Sequence, residues 1–132
     1  MRTLLFIIFC LPILAFSQRM SSSDLNEALK IVCSEINKST PFVVDEYTTL
    51  ISAASFQNNL VYMYQLDASM FDDFEITKES WEVFQEITLK NSYCTDPDFK
   101  VIRDNNVKVK WKYSDILGRH ISSITVNKYD CD

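Results

Sequence analysis

Apolar and polar residues alternate strictly in the segment VKVKWKY, residues 107–113. The apolar side chains fall on one side of an extended chain, and the lysines fall on the other. The lysines are Lys108, Lys110 and Lys112. This pattern predicts a half-buried β-strand, with Trp111 in the core and Lys110 in water. Lysine also protects a sheet edge from unwanted pairing. The row therefore needs no function, although an anionic partner is the alternative.

Two segments carry apolar residues at helical spacing. Residues 24–38 place Leu25, Leu29, Val32 and Ile36 along one side, and we predict a helix that Asp24 caps. Pro41 follows this helix and ends it, because the residue before proline disfavours helical geometry.

The second helical segment spans residues 76–94, and Thr77 is its predicted N-cap. We expect Trp81, Phe84 and Ile87 to lie on its buried side. Asp96 and Pro97 then predict one further short helical turn, with aspartate as cap and proline at the first position.

The remaining apolar segments read as strands. Residues 41–56 and 60–67 are rich in β-branched or aromatic residues and flank a tight turn at 57–59. In the second of these strands, Tyr62 and Tyr64 share one face. A last strand begins at His120, after a loop that contains Gly118.

The predicted order is therefore α-β-β-α-β-β, which indicates an α+β fold. We expect both helices to pack on one face of a four-stranded antiparallel sheet, leaving the other face in water. If Tyr62 and Tyr64 point outward on that open face, they and the three lysines of residues 107–113 form a candidate binding surface.

The N-terminus has the layout of a secretory signal peptide. Arg2 is followed by an apolar run from Leu4 to Phe16 and by small residues before a cleavage site after Ser17. The run is shorter than the roughly 20 residues that span a bilayer. We predict a signal peptide at residues 1–17, a single domain at residues 18–132, and a secreted or periplasmic protein without stable membrane insertion.

Composition narrows the function classes. The chain has 13 basic and 18 acidic residues and a net charge of −5, and loss of Arg2 makes it more negative still. Such a protein is repelled by phosphate backbones, so we expect no nucleic-acid partner. With 47% hydrophobic residues and one glycine, the chain is also unlike a disordered sequence or a loop-rich scaffold.

Three cysteines remain after the signal peptide: Cys33, Cys94 and Cys131. In an oxidising compartment two of them are expected to pair, and the sequence allows three pairings. We favour Cys94–Cys131, because that bond would tie down the C-terminal tail. Cys33 lies beside the apolar stripe of the first helix and is expected to be a buried free thiol.

Catalytic signatures are absent. His120 is the single histidine, and no G-x-S-x-G, H-E-x-x-H or C-x-x-C motif occurs. The carboxylate pairs lack the spacing of a calcium loop. We therefore expect a non-enzyme without cofactor or metal. The alternative is a small hydrolase or transferase built around His120 and Cys33.

Residues 39–50, STPFVVDEYTTL, resemble a strand of small uncharacterised exported bacterial proteins. Those proteins carry the pattern P-x-x-V-D-x-x-T-x-L after an N-terminal helix and a cysteine pair in the second half. The matching residues are Pro41, Val44, Asp45, Thr48 and Leu50. The resemblance implies export and the Cys94–Cys131 disulfide, and it implies no mechanism.

These observations favour an exported interaction module. We expect it to use the open sheet face or a sheet edge to hold a protein, a peptide or an envelope component.

Overall fold

The computed structural model describes residues 19–131, so the predicted signal peptide and the C-terminal Asp132 lie outside the described residues. The helices are α1 (Ser22–Asn37), α2 (Ser69–Asp73), α3 (Lys78–Thr95) and α4 (Lys100–Asp104). The strands are β1 (Phe42–Val43), β2 (Thr48–Phe56), β3 (Asn59–Leu66), β4 (Val109–Ser114) and β5 (His120–Val126). Short 3₁₀ turns occupy Pro97–Phe99 and Lys128–Asp130.

The strands form one mixed sheet in the order β1-β2-β3-β4-β5. Neighbours are antiparallel except β3 and β4, which run parallel. Between these two strands the chain passes through α2, α3 and α4. Parallel neighbours require such a crossover, because the chain must return to the end of the sheet from which it started.

The sheet corrects the predicted topology in two ways. It has five strands and not four, because Phe42 and Val43 add a short strand at the edge of β2. It is mixed and not antiparallel, because α3 carries the chain across the sheet between β3 and β4. The α+β class and the burial of one sheet face under both helices agree with the prediction.

Helix α1 begins earlier than predicted. Its N-cap is Ser21, whose side chain accepts a hydrogen bond from the Asp24 backbone N–H at 3.1 Å. Serine here satisfies one of the unpaired N–H groups of the first turn, so the predicted cap Asp24 lies inside the helix. The helix buries Leu25, Leu29 and Cys33.

Helix α3 starts where the sequence predicts. The Thr77 hydroxyl accepts a hydrogen bond from the Ser80 backbone N–H at 3.1 Å, and Trp81 is buried. The expected burial of Phe84 and Ile87 is wrong, because the buried stripe runs instead through Trp81, the partly buried Leu89 and Tyr93. Phe84 and Ile87 therefore lie on the exposed side of the helix.

Both long helices cover the same face of the sheet. Cross-strand register places Ala53, Tyr62 and Trp111 side by side on that face. Above Tyr113 on the same face, the Trp81 ring packs edge-on with ring centroids 4.9 Å apart. The helices and this face form a hydrophobic core whose central aromatic residue, Trp111, is only 3% exposed.

Two predicted turns have the backbone geometry that their residues favour. Gln57 and Asn58 both have positive φ, as a two-residue hairpin turn between β2 and β3 requires. Asp96 caps the 3₁₀ turn by accepting a hydrogen bond from the Asp98 N–H at 2.9 Å, with Pro97 at the first position. These local features set the ends of β2, β3 and α3.

Candidate functional site

Helices α1 and α3 pack on strands of the covered face that are not adjacent, and the strip of β3 between them, at Tyr62 and Tyr64, is called the gap below. Helix α1 packs on β2, and α3 packs on β5. These strands are three positions apart, or roughly 14 Å, and Trp81 of α3 also packs on Tyr113 of β4. Directly packed helices are about 8–10 Å apart. On this face of β3, Leu60 and Leu66 are fully buried, whereas Tyr62 and Tyr64 between them are only half-buried.

The floor of this gap is aromatic. Tyr62 and Tyr64 of β3 are half-buried on the covered face. The Tyr62 ring lies 6.1 Å from the Trp111 ring, and the Tyr64 ring stacks on Tyr113 at 5.2 Å between centroids. Their neighbours on β4 are buried, so the two tyrosines are the part of this aromatic row that reaches the gap.

The two tyrosine hydroxyls complete the floor with polar groups. Among residues 19–131 neither hydroxyl has a hydrogen-bond partner, and no side-chain polar atom in that range is both buried and unpaired. Burial raises the pKa of Tyr62 to about 12 and also raises that of Tyr64. Both hydroxyls therefore stay neutral near neutral pH. Each can donate a hydrogen bond to an incoming group or accept one from it.

One rim of the gap belongs to α1. Its residues Lys30, Ser34 and Asn37 line a shallow cleft beside Ser55 of β2, on the flank that faces the outer edge. Helical geometry then places Val32 on the opposite flank, toward the gap. Val32 is 41% exposed, which leaves an apolar side chain available on this rim.

The other rim belongs to α3. Lys78, Glu82 and Glu86 line a cleft beside β5, so this flank of α3 faces the far edge of the sheet. Phe84 lies on the opposite flank, toward the gap, and is 64% exposed. A useful signal in the sequence is the register of Leu89 and Tyr93 with Trp81, because a buried stripe through these residues leaves Phe84 outside.

The structure places the predicted surface residues on two different faces. Tyr62 and Tyr64 lie on the covered face, because they share it with Trp111 and Tyr113 of the neighbouring strand. Lys108, Lys110 and Lys112 point to the open face. The predicted alternation holds, because Trp111 is buried and Lys110 is only partly covered. The five residues therefore do not form one surface.

The lysine row does not protect a sheet edge. Strand β4 lies inside the sheet, between β3 and β5, so its edges are already paired. Within residues 19–131, the lysines at 108, 110 and 112 form no ion pair with a carboxylate. They form a basic row on the open face, exposed at Lys108 and Lys112 and partly covered at Lys110, next to the hydroxyl side chains of Ser123 and Thr125.

The structure does not bring Cys33 and His120 together. Cys33 is 6% exposed over β2, where burial raises the pKa of its thiol and a hydrogen bond with Ser55 lowers it by less. His120 begins β5, three strands away or roughly 14 Å. Its Nε2 lies 2.8 Å from the Ser123 Oγ, and both residues are exposed. The hydrolase arrangement predicted as the alternative is therefore absent from the described residues.

The predicted disulfide is confirmed. Cys94 at the end of α3 is joined to Cys131, with 5.5 Å between their Cα atoms, and Cys33 is the free cysteine within residues 19–131. In residues 19–131 no cluster of three or more His, Cys, Asp or Glu side chains could hold a metal ion. In the same part of the chain, no helix combines the length and hydropathy that a bilayer crossing needs.

The fold is shared with proteins of known structure. Neither the protein-family models nor the curated proteins gave a match to this chain. A Pseudomonas aeruginosa protein provisionally described as secreted has a TM-score of 0.74 and 14% identity, over 88% of this chain and all of its own.

Two pilotins of type II secretion systems have the same fold. EpsS of Vibrio vulnificus has a TM-score of 0.67 and 15% identity, over 84% of this chain and 94% of its own. AspS of Vibrio cholerae has a TM-score of 0.64 and 14% identity, over 83% of this chain and 94% of its own. The described domain is thus similar in fold to a provisionally secreted protein and to two secretion-system pilotins.

Proposed function

We propose that this protein is an exported binding module that holds an amphipathic segment of a secreted or envelope protein in the gap between α1 and α3. The observation that carries the proposal is the floor of that gap, where Tyr62 and Tyr64 are half-buried and lack hydroxyl partners in the described chain. Tyrosine is enriched at binding interfaces because one end of the ring is apolar and the other is polar.

The similar folds support this proposal without carrying it. Two of the three solved structures are pilotins of type II secretion systems, and the third is provisionally described as secreted. A secreted or periplasmic location and a protein partner for this chain agree with that setting. We do not propose a hydrolase, because Cys33 lies on α1 over β2, whereas His120 begins β5, three strands away.

The dimensions of the gap favour a guest helix that rests on the two rims. A third helix packs about 8–10 Å from each neighbour, so lying fully between α1 and α3 would need their axes about 16–20 Å apart, which is more than the roughly 14 Å between strands β2 and β5. Such a helix would contact Val32 and Phe84, and it would send a large side chain down toward Tyr62. An amphipathic helix presents one apolar stripe, which matches these apolar rims and leaves its polar side in water.

Photocrosslinking tests the gap directly. A benzoylphenylalanine in place of Phe84 should yield a discrete adduct in cells that export the protein, whereas the same residue in place of Ile116 should not. Ile116 is the matched control, because it is 68% exposed but lies in the β4–β5 loop away from the gap.

A second substitution separates a specific guest from chance capture. Val32→Glu places a charge on the opposite rim, where an apolar segment would have to desolvate it. We expect it to lower the adduct yield from position 84 by roughly fivefold or more, with an unchanged circular dichroism spectrum. An equal yield from position 116, or an adduct that Val32→Glu leaves unchanged, would overturn the proposal.

A further inference from the structure

Strand β5 ends the described sheet and leaves one edge without a neighbour. Its sequence, HISSITV, contains no lysine or proline, the residues that commonly block strand addition. Which backbone groups of β5 face outward follows from the register of the neighbouring strands.

One hydrogen bond fixes the direction of the groups in β4. The Leu60 backbone N–H donates to the Lys108 carbonyl at 2.9 Å, across the parallel pair of β3 and β4. The N–H and C=O of a strand residue point to the same side, and consecutive residues alternate. The backbone groups of Lys110 therefore face β3, whereas those of Val109 and Trp111 face β5.

The same logic extends to β5. Trp111 is directly opposite Ile124, so these residues exchange the hydrogen bonds of the β4–β5 pair. Ser122, Ile124 and Val126 of β5 bond to β4 in this way. The residues between them turn their backbone groups away from β4. Ser123 and Thr125 each present one N–H and one C=O at the free edge.

Helix α3 forms an acidic wall beside this edge. Its residues Lys78, Glu82 and Glu86 line a cleft together with residues 120–124 of β5. The Lys78 ammonium lies 3.7 Å from the Glu82 carboxylate. Within residues 19–131, Glu86 has no such cation, so the wall has a carboxylate that is free to pair with a ligand.

We propose that the free edge of β5 accepts an added strand from a partner protein, and that this strand carries lysine or arginine at alternate positions. The backbone groups of Ser123 and Thr125 would provide main-chain hydrogen bonds. Side chains of an added strand alternate between the two faces. Side chains of the added strand on the covered face meet Glu82 and Glu86, which select basic residues. Its side chains on the open face lie beside the hydroxyls of Ser123 and Thr125.

This site is independent of the gap between α1 and α3. The edge cleft borders the flank of α3 that carries Glu86, and the gap borders the flank that carries Phe84. Loss of either binding activity therefore leaves the other one testable in the same protein.

Nuclear magnetic resonance titration with short peptides tests the proposal. The probe is a blocked heptapeptide of alternating threonine and lysine, and the control probe has glutamate in place of lysine. We expect the basic peptide to give saturable shifts at the Ser123 and Thr125 amides, with about tenfold weaker binding of the acidic peptide. Equal binding of both peptides, or shifts elsewhere, would overturn the proposal.

Two variants at one position separate strand addition from simple charge attraction. Thr125→Pro removes an outward N–H without breaking a bond to β4, and proline is tolerated on edge strands. Thr125→Val keeps the N–H. We expect about tenfold weaker peptide binding for the proline variant only, with the melting temperature of both variants close to that of the unmodified protein. Unchanged binding by a folded Thr125→Pro would rule out strand addition at this edge.

Discussion

The side-chain amide of Asn37 binds the backbone of Ala53 at two points. The Asn37 Nδ2 donates to the Ala53 carbonyl at 2.9 Å, and the Ala53 N–H donates to the Asn37 Oδ1 at 2.8 Å. Strand β1 pairs only with Thr49 and Leu50, so it does not reach Ala53. The last residue of α1 thus replaces a strand neighbour and fixes the helix to the edge of β2.

We expect Asn37→Ala to lower the free energy of unfolding by about 1–2 kcal/mol, because it leaves two part-buried backbone groups without partners. Urea denaturation followed by circular dichroism measures the change. Asn91→Ala is the control, since Asn91 is exposed on α3 and should change stability by less than about 0.5 kcal/mol. Equal effects of the two substitutions would contradict the role given to Asn37.

The disulfide should be a large part of the stability. Cys94 and Cys131 are 37 positions apart, and a closed loop of that length stabilises by about 3–4 kcal/mol in the chain-entropy model. The double change of both cysteines to serine should therefore lower the urea midpoint strongly. Cys33→Ala keeps the bond and serves as the control. Of the two variants, only Cys33→Ala should lose stability when dithiothreitol is added.

Cys33 should react slowly in the folded protein. Its side chain is buried, and burial raises the pKa of the thiol, so the reactive thiolate is scarce near neutral pH. Iodoacetamide followed by intact mass measurement of residues 18–132 should show almost no labelling in buffer and a single label in urea. Fast labelling of the native protein would mean that the thiol is accessible, contrary to the structure.

Alkaline pH should destabilise the fold through its tyrosines. The ordinary pKa of tyrosine is about 10, and burial raises that of Tyr62 to about 12. The folded state therefore holds this proton more tightly than the unfolded state. The contribution to stability is complete below pH 10 and is lost as pH rises toward the folded value.

Urea unfolding at several pH values from about 9 to about 12 measures this loss. Tyr62→Phe cannot ionise at that position, so its urea midpoint should fall less steeply across the same range. Parallel curves for the two proteins would show that Tyr62 does not contribute to the alkaline transition.

Much of the local structure could be predicted because it depends on neighbouring residues. Thr77 and Asp96 cap the elements that they were expected to cap, and alternation placed Trp111 in the core and Lys110 toward water. The direction of β4 could also have been inferred. A strand, a helix and a second strand in sequence favour a parallel pair, and β3, α3 and β4 follow that order.

The candidate site was less accessible to sequence reasoning. Tyr62 and Tyr64 are only half-buried because α1 and α3 pack on strands that are not adjacent, and no local pattern encodes that separation. The exposure of Phe84 likewise depends on which helical stripe fits the sheet. Periodicity identified an apolar side for α3, but it did not show whether the stripe through Phe84 or the stripe through Leu89 faces the sheet.

The Cys94–Cys131 bond joins the end of α3 to the residue that follows the last 3₁₀ turn. Every loop between these positions, including the one that contains Gly118, lies inside a covalent ring. A protease that cuts one of those loops therefore releases no fragment until the bond is reduced. In an oxidising compartment, a nicked molecule would keep both of its pieces and retain its position in a complex.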